Sequence, residues 1–305
     1  MSKKSLYLLG IVLTILLGSW LYPKFCCNCC NDETSCEKDS TAINAGSENL
    51  SLNGFKLNGT DFDYQTTDNF KFLKGDFKTL MPISDSVNTG VDKLKLFFEK
   101  NPNQKLMITG YATSDEKNTS AFPNLGFARA NDLKNYFISK GFPASKFDLN
   151  GEIKDKWSTR GDTLLGPADF KIIALEENKT APETDWNSLK EKINANPLVL
   201  YFNTGQAEIN LTAEERQKVA DLVHYLDNVE GSKLNTVGHT DNAGKRETNI
   251  KLGLERANFA KEYLVKNGVA TDRIDTSSKG PDEPIADNAT AEGKAKNRRT
   301  VVTIK

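Results

Sequence analysis

Residues 237–257 read VGHTDNAGKRETNIKLGLERA and hold the most chemically suggestive side chains of the sequence. An acid, Asp241, lies in a turn flanked by Gly238 and Gly244, and a base, Arg256, follows in a stretch rich in small residues. A carboxylate and a guanidinium at fixed separation can grip a ligand that carries both charges, because charge-assisted hydrogen bonds are short and directional. Each residue also has an ordinary use, Asp241 as a turn acid and Arg256 as a solvated surface base. His239 beside Asp241 suggests a metal, but the chain has only 2 histidines and offers no third ligand near them. His224 falls on the polar face of another helix, so neither a metal nor a cofactor is expected. Catalysis by an activated nucleophile needs a base beside it. No cysteine lies beyond Cys36 and no serine adjoins a histidine in an elbow motif, so the chain is read as a non-enzyme.

These residues must be positioned by regular elements, and the hydrophobic pattern supplies them twice. In the second half, PLVLYF reads as a buried strand, and Thr212 with Glu215 forms a capping box before a helix striped by Val219, Leu222, Val223 and Leu226. KLNTVGHT is a strand, a helix then runs to Asn267 and stops at Gly268, and DRIDTSS and RTVVTIK complete the sheet. With Ala257 facing the core, Ile250, Gly253, Leu254, Ala260 and Leu264 share its side of the helix, and Arg256 falls at the edge of that stripe. The first half repeats this order: a strand-rich start, a helix near 84–100, the strand KLMITGYA, a helix near 122–140, and the strands KFDLNGEI and ADFKIIAL. LGLERANFAKEYLVKNG at 252–268 and LGFARANDLKNYFISKG at 125–141 agree at eight of 17 positions, which marks an internal duplication. Alternating strands and helices predict an α/β fold, an α+β sandwich with helices on one face of a mixed sheet.

The chain has 305 residues, with Lys+Arg 40 against Asp+Glu 41 and a net charge of -1, so no basic excess points to nucleic acid. Lys3 and Lys4 precede a run from Leu6 to Tyr22 that carries no charge and ends without a small-residue cleavage site. That length reaches the lower limit for a bilayer-spanning helix, so residues 1–23 read as an uncleaved signal anchor. Residues 24–50 read as a polar stalk holding all 5 cysteines, whose crowding favours disulfides over a metal site. Domains are expected at 51–180 and 185–305, joined by a polar connector at 176–185.

GHTDNAG at 238–244, the set Asn249, Leu252, Arg256 and Ala257, and GPDEPIADNATAEGKAKNRR at 280–299 together resemble the OmpA-like peptidoglycan-binding domain family. The resemblance covers about 185–305, and the first half resembles the same family only as a degenerate copy. Gly253 stands where the family usually has serine, and Thr300 where an aliphatic residue is common.

The resemblance implies two tandem OmpA-like βαβαβ domains behind one N-terminal transmembrane helix. It implies non-covalent binding of the diaminopimelate of peptidoglycan stem peptides. Asp241 would take the ligand's ammonium and Arg256 its carboxylate, with the N–H groups of Asn242 and Ala243 also cradling that carboxylate. Thr240, Gly244, Asn249, Arg298 and Arg299 would support the loop; Arg298 has an alternative use as a cap on the last strand. The implied setting is the bacterial cell envelope, as a single-pass membrane protein with its C-terminal domains in the periplasm or, alternatively, an outer-membrane association. An ion-driven stator subunit has the same layout, but its membrane helix must carry a protonatable acid, and Leu6 to Tyr22 has none. An interaction module with a vestigial pocket is the third reading.

In the first half, Arg129 aligns with Arg256, Thr113 with Asp241 and Phe122 with Asn249, and no arginine pair precedes the last strand. Asp115 is the nearest acid weighed for the vacant role. A ligand site lost while the packing is retained is expected there, leaving a spacer or a docking surface for another envelope protein.

Overall fold

A computed structural model of the protein describes residues 53–174, 184–202 and 209–305. The expected membrane helix at 1–23, the stalk at 24–50 and most of the connector lie outside the described residues. Among the described residues no helix is long and apolar enough to cross a membrane.

The first half opens with a hairpin, β1 (Lys56–Gly59) and β2 (Phe62–Gln65), followed by β3 (Lys71–Leu73), α1 (Asp85–Lys100), β4 (Gln104–Ala112), α2 (Leu125–Ser139) and β5 (Phe147–Ile153). The short β6 (Thr159–Arg160) and β7 (Thr163–Leu165) precede the closing β8 (Ala168–Ala174). Its main sheet has the order β2-β1-β8-β4-β5, and β3, β7 and β6 form a small second sheet. Side-chain caps start the helices: Ser84 accepts from Val87 N–H, and Asn124 accepts from Phe127 N–H.

The second half runs α3 (Trp186–Ala195), β9 (Leu198–Tyr201), α4 (Ala213–Asn228), β10 (Leu234–His239), α5 (Arg246–Lys266), β11 (Ile274–Gly280), α6 (Ala291–Asn297) and β12 (Arg299–Ile304). Its sheet has the order β11-β10-β12-β9. The capping box is formed, with Thr212 and Glu215 each bonding the other's backbone N–H, and Val219, Leu222, Val223 and Leu226 are all buried. The overall class is mixed α/β.

The central pairings match between halves. β4 pairs parallel with β5 and antiparallel with β8, as β10 does with β11 and β12. α2 and α5 both end before a glycine of positive φ, Gly141 at 90° and Gly268 at 97°. The first strands differ, since β1 runs parallel to β8 whereas β9 runs antiparallel to β12.

Glycine sets how closely helix meets strand. A Cβ on Gly238 of β10 would lie 1.8 Å from Gly253 O on α5, and one on Gly110 of β4 would lie 2.1 Å from Gly126 O on α2. Gly253 itself would bring a Cβ to 2.2 Å from Ser278 Oγ, so the space for a side chain is already filled from β11. So close a crossing narrows the covered face of α5. Gly253, Ala257, Ala260 and Leu264 are buried, but Leu254, expected on that face, is 40% exposed.

The halves meet through one apolar cluster, in which Phe122, Leu125 and Ala128 pack with Leu222, Leu226 and Leu264. Asn267 Oδ1 accepts from Ala121 N–H at 2.8 Å, and Asn131 and Asn135 donate to the carbonyls of Asn267 and Gly268. Lys134, buried, donates to Asp227 at 2.6 Å across the same junction.

Candidate functional site

The residues singled out in the second half converge on the corner where β10 ends and α5 begins. β10 delivers His239 and Thr240 into the interior, and the chain then emerges as the exposed loop Asn242–Ala243–Gly244. Thr240 N–H donates to Gly280 O at 2.8 Å, and its hydroxyl donates to Asp241 O at 2.8 Å, so the strand end is tied to β11 before the loop leaves. Gly244 has φ 89° with nothing within 4 Å of an added Cβ. Its glycine is needed for that backbone conformation, not for close approach to a neighbour. Asn249, buried one turn into α5, donates Nδ2 to Ala243 O at 3.0 Å and pins the loop to the helix.

Asp241 is held on both oxygens. Oδ1 accepts from Ala243 N–H at 3.1 Å and Oδ2 from Arg298 Nη1 at 2.9 Å. The two side chains are 14% and 19% exposed, so the pair is largely desolvated yet reachable. A carboxylate offers about four lone-pair sites, which leaves Asp241 capacity for a further cation. Arg256 donates Nη1 to His239 O at 3.1 Å and lies over the Phe202 ring, 5.9 Å from its centroid. Burial lowers the Arg256 pKa, Asp241 opposes that and Arg298 adds to it. The corner therefore carries two guanidinium groups and one carboxylate in mutual range, an arrangement suited to an anion and a cation held side by side.

The expected supporting residues separate into two groups. Thr240, Asn249 and Arg298 act on the loop or on Asp241 directly. Arg299 does not join them: it is buried and donates to Asn297 O and Glu283 O, bracing the segment that leads into β12. The N–H groups of Asn242 and Ala243, expected to face a ligand, are engaged in this structure by Asn288 Oδ1 at 3.3 Å and by Asp241 itself.

Two residues of the site went unassigned in the sequence. Asn297, fully buried, accepts from Ile285 and Ala286 N–H through Oδ1 and donates Nδ2 to Asn288 Oδ1, which in turn meets Asn242 N–H. This relay shapes the 280–299 segment and links it to the Asp241 loop. Its signal was the Asn pair inside DNATAEGKAKNRR, a segment whose helix, α6, has no apolar stripe to announce it.

His239 is buried with Nδ1 unpartnered among the described residues. Burial, aided by Arg299, pushes its pKa down to about 4, so the ring is neutral at ordinary pH. Among the described residues, no three His, Cys, Asp or Glu side chains cluster as a metal site would require.

The corresponding corner of the first half is built differently. Arg129, with no accessible surface, donates Nη1 to Tyr111 O at 2.8 Å and stacks over Phe72. Its guanidinium engages Glu116 through Nη1 at 3.0 Å and Nη2 at 2.5 Å, and neither side chain of the pair is accessible. Asp115, the nearest acid weighed from sequence for the place of Asp241, pairs with Lys74 in solvent.

The OmpA family model matches residues 201–298. Over 135 residues the chain is 34% identical to outer membrane protein Omp38 of Acinetobacter baumannii, a match spanning 44% of this chain and 36% of that protein. The peptidoglycan-binding protein ArfA of Mycobacterium tuberculosis is 36% identical over 125 residues, 41% of this chain and 37% of its own length. The crystal structure of the peptidoglycan-associated lipoprotein from Burkholderia pseudomallei aligns at 23% identity and a TM-score of 0.33, covering 41% of this chain and 99% of that one. The chain thus spans little more than a third of the length of the curated relatives it matches. Residues 201–298 of this chain are a domain of the OmpA family.

Proposed function

We propose that the protein binds peptidoglycan non-covalently in the bacterial cell envelope, through the free amino-acid end of a diaminopimelate residue. The observation that carries this reading is the placement of Arg256 and Asp241 on one corner, with Arg256 fastened to the carbonyl of His239 immediately below the Asp241 loop. Diaminopimelate retains one ammonium and one carboxylate after its other end is built into the wall. Asp241 takes the ammonium in its unfilled lone-pair directions, with Arg298 fixing its orientation. Arg256 takes the carboxylate in a charge-assisted bond that partial desolvation strengthens. When the ammonium reaches Asp241 Oδ1, the Ala243 N–H is released and turns to the ligand carboxylate, and the long bond from Asn242 N–H to Asn288 yields in the same way. Similarity to ArfA, which is named for peptidoglycan binding, supports the choice of partner.

In this reading residues 185–305 form the binding domain and residues 51–180 a second copy of the fold. Residues 1–23 hold the chain in a membrane across the 24–50 stalk, and both domains lie in the periplasm.

The test is retention of the protein on purified sacculi, with free diaminopimelate as competitor. Asp241→Ala and Arg256→Ala each remove a charge-assisted bond and should weaken retention by about tenfold or more. Undiminished retention in both variants, or indifference to the competitor, rejects the assignment.

A further inference from the structure

Glu116 leaves the turn that follows β4, just as Asp241 lies in the turn that follows β10, but its carboxylate reaches back onto Arg129. It accepts two guanidinium N–H groups there. It also accepts Gly75 N–H at 2.7 Å on Oε1 and Thr113 N–H at 2.8 Å on Oε2, with the Thr113 hydroxyl at 3.2 Å. A fork of two N–H groups joined by two main-chain amides is a complete receptor for a carboxylate, of the kind that recognises free acids when it stands open. Arg129 reaches this place on the same scaffold as Arg256: its Nη1 goes to Tyr111 O at the end of β4, as the Nη1 of Arg256 goes to His239 O at the end of β10. The glycine crossings Gly110–Gly126 and Gly238–Gly253 set helix on strand in both halves.

We propose that the first half contains a second carboxylate-binding site, closed from within because Glu116 is its permanent ligand. The inference deepens the reading of two related halves, and it rests on the contacts of Arg129 rather than on the activity of the second half. A tethered carboxylate competes with any free one at the advantage of intramolecular binding, and with neither side chain accessible a wall-derived acid has no entry. The native chain accordingly takes one diaminopimelate, at Arg256. Removing the Glu116 carboxyl would expose a receptor for a small monocarboxylate.

Glu116→Ala deletes a CH2–COO⁻ group, the equivalent of acetate, so acetate is the probe. Thermal unfolding of the full-length variant is followed in sodium acetate and in sodium chloride at matched ionic strength and neutral pH. The variant should melt below the native protein, and acetate at about ten times its Kd should raise its melting point by roughly 3 °C, saturably. The native protein and the double variant Glu116→Ala/Arg129→Ala should show no difference between the two salts. An equal response of Glu116→Ala to both salts overturns the proposal, as does an acetate effect of the same size in the native protein. If Glu116→Ala is recovered unfolded, refolding is compared in the two salts: recovery in acetate alone supports the site, and recovery in neither overturns it. Retention on sacculi, measured on the same samples, reports the second half alone. A lost acetate response with intact retention, or the converse, therefore shows which of the two readings has failed.

Discussion

Arg129 and Arg256 each donate one Nη1 hydrogen to a carbonyl at the C-terminal end of the strand before their helix, Tyr111 at 2.8 Å and His239 at 3.1 Å. What differs is the acid presented to each. Glu116 grips Arg129 directly, whereas Asp241 is drawn to Arg298 at 2.9 Å. In the proposed reading Arg256 is thereby left to take an incoming anion, and Arg298 holds Asp241 away from it.

That division of labour predicts the outcome of Arg298→Ala. Asp241 loses its orienting partner but keeps its charge, so sacculus binding should fall by a few-fold, less than in Asp241→Ala. A double-mutant cycle between positions 298 and 241 should give a coupling of about 1 kcal/mol. Coupling indistinguishable from zero would mean that the ion pair does not serve the ligand.

Two glycines of the corner should respond very differently to alanine. At Gly238 a Cβ would lie 1.8 Å from backbone oxygen of Gly253, which no side-chain movement relieves. Gly238→Ala should cost about 3 kcal/mol or more as β10 and α5 are forced apart. At Gly244 there is open space, and the penalty is only that of a positive φ, roughly 1 kcal/mol. Chemical denaturation of both variants checks the order; a reversed order would contradict the close crossing.

Much of this was legible in the sequence because the signals were periodic or paired. The capping box of Thr212 and Glu215, the stripe of α4 and the duplicated helix with its glycine stop all translated directly into elements. α3 was not anticipated because none of its residues is buried, so its polar sequence resembles the connector before it. β6, β7 and α6 are too short to carry a period. The acid facing Arg129 is not assigned from the sequence, for a different reason. Spacing ranks Asp115 and Glu116 almost equally, and only the backbone turn decides that Asp115 meets Lys74 in solvent while Glu116 turns inward. Arg298 and Arg299 are likewise equivalent as a dipeptide, but alternation along the start of β12 sends one to Asp241 and the other into the 283–297 segment.

The junction between the halves should depend on Lys134. Its side chain is 2% exposed and its ammonium is bonded to Asp227 at 2.6 Å; burial lowers its pKa, and Asp227 opposes that. Lys134→Met leaves Asp227 without its partner and should cost about 3 kcal/mol. Adding Asp227→Leu should recover most of that, since an apolar pair of similar volume often replaces a buried ion pair at little cost. Denaturation midpoints of the single and double variants check this. A double variant less stable than Lys134→Met would show that the pair is worth more than its desolvation.

Acid stability should show two separable windows. The pKa of His239 is held at about 4, against 6.5 for the free side chain, chiefly by burial and by Arg299, with Glu283 opposing. The unfolded chain therefore binds more protons than the folded one between these values, and stability must fall as the pH is lowered from about 6.5 to about 4. The loss amounts to roughly 3 kcal/mol for this group. For Glu116, burial alone would raise the pKa, but Arg129 and the N–H groups of Gly75 and Thr113 outweigh it and hold the carboxyl below its ordinary 4.5. Its contribution is intact above that value and is lost only as the pH falls through the lower folded value. Melting curves of His239→Gln should accordingly be flatter than those of the native protein between pH 6.5 and 4, while retaining the decline at lower pH. A native-like slope in the upper window would show that His239 does not titrate as a buried neutral ring.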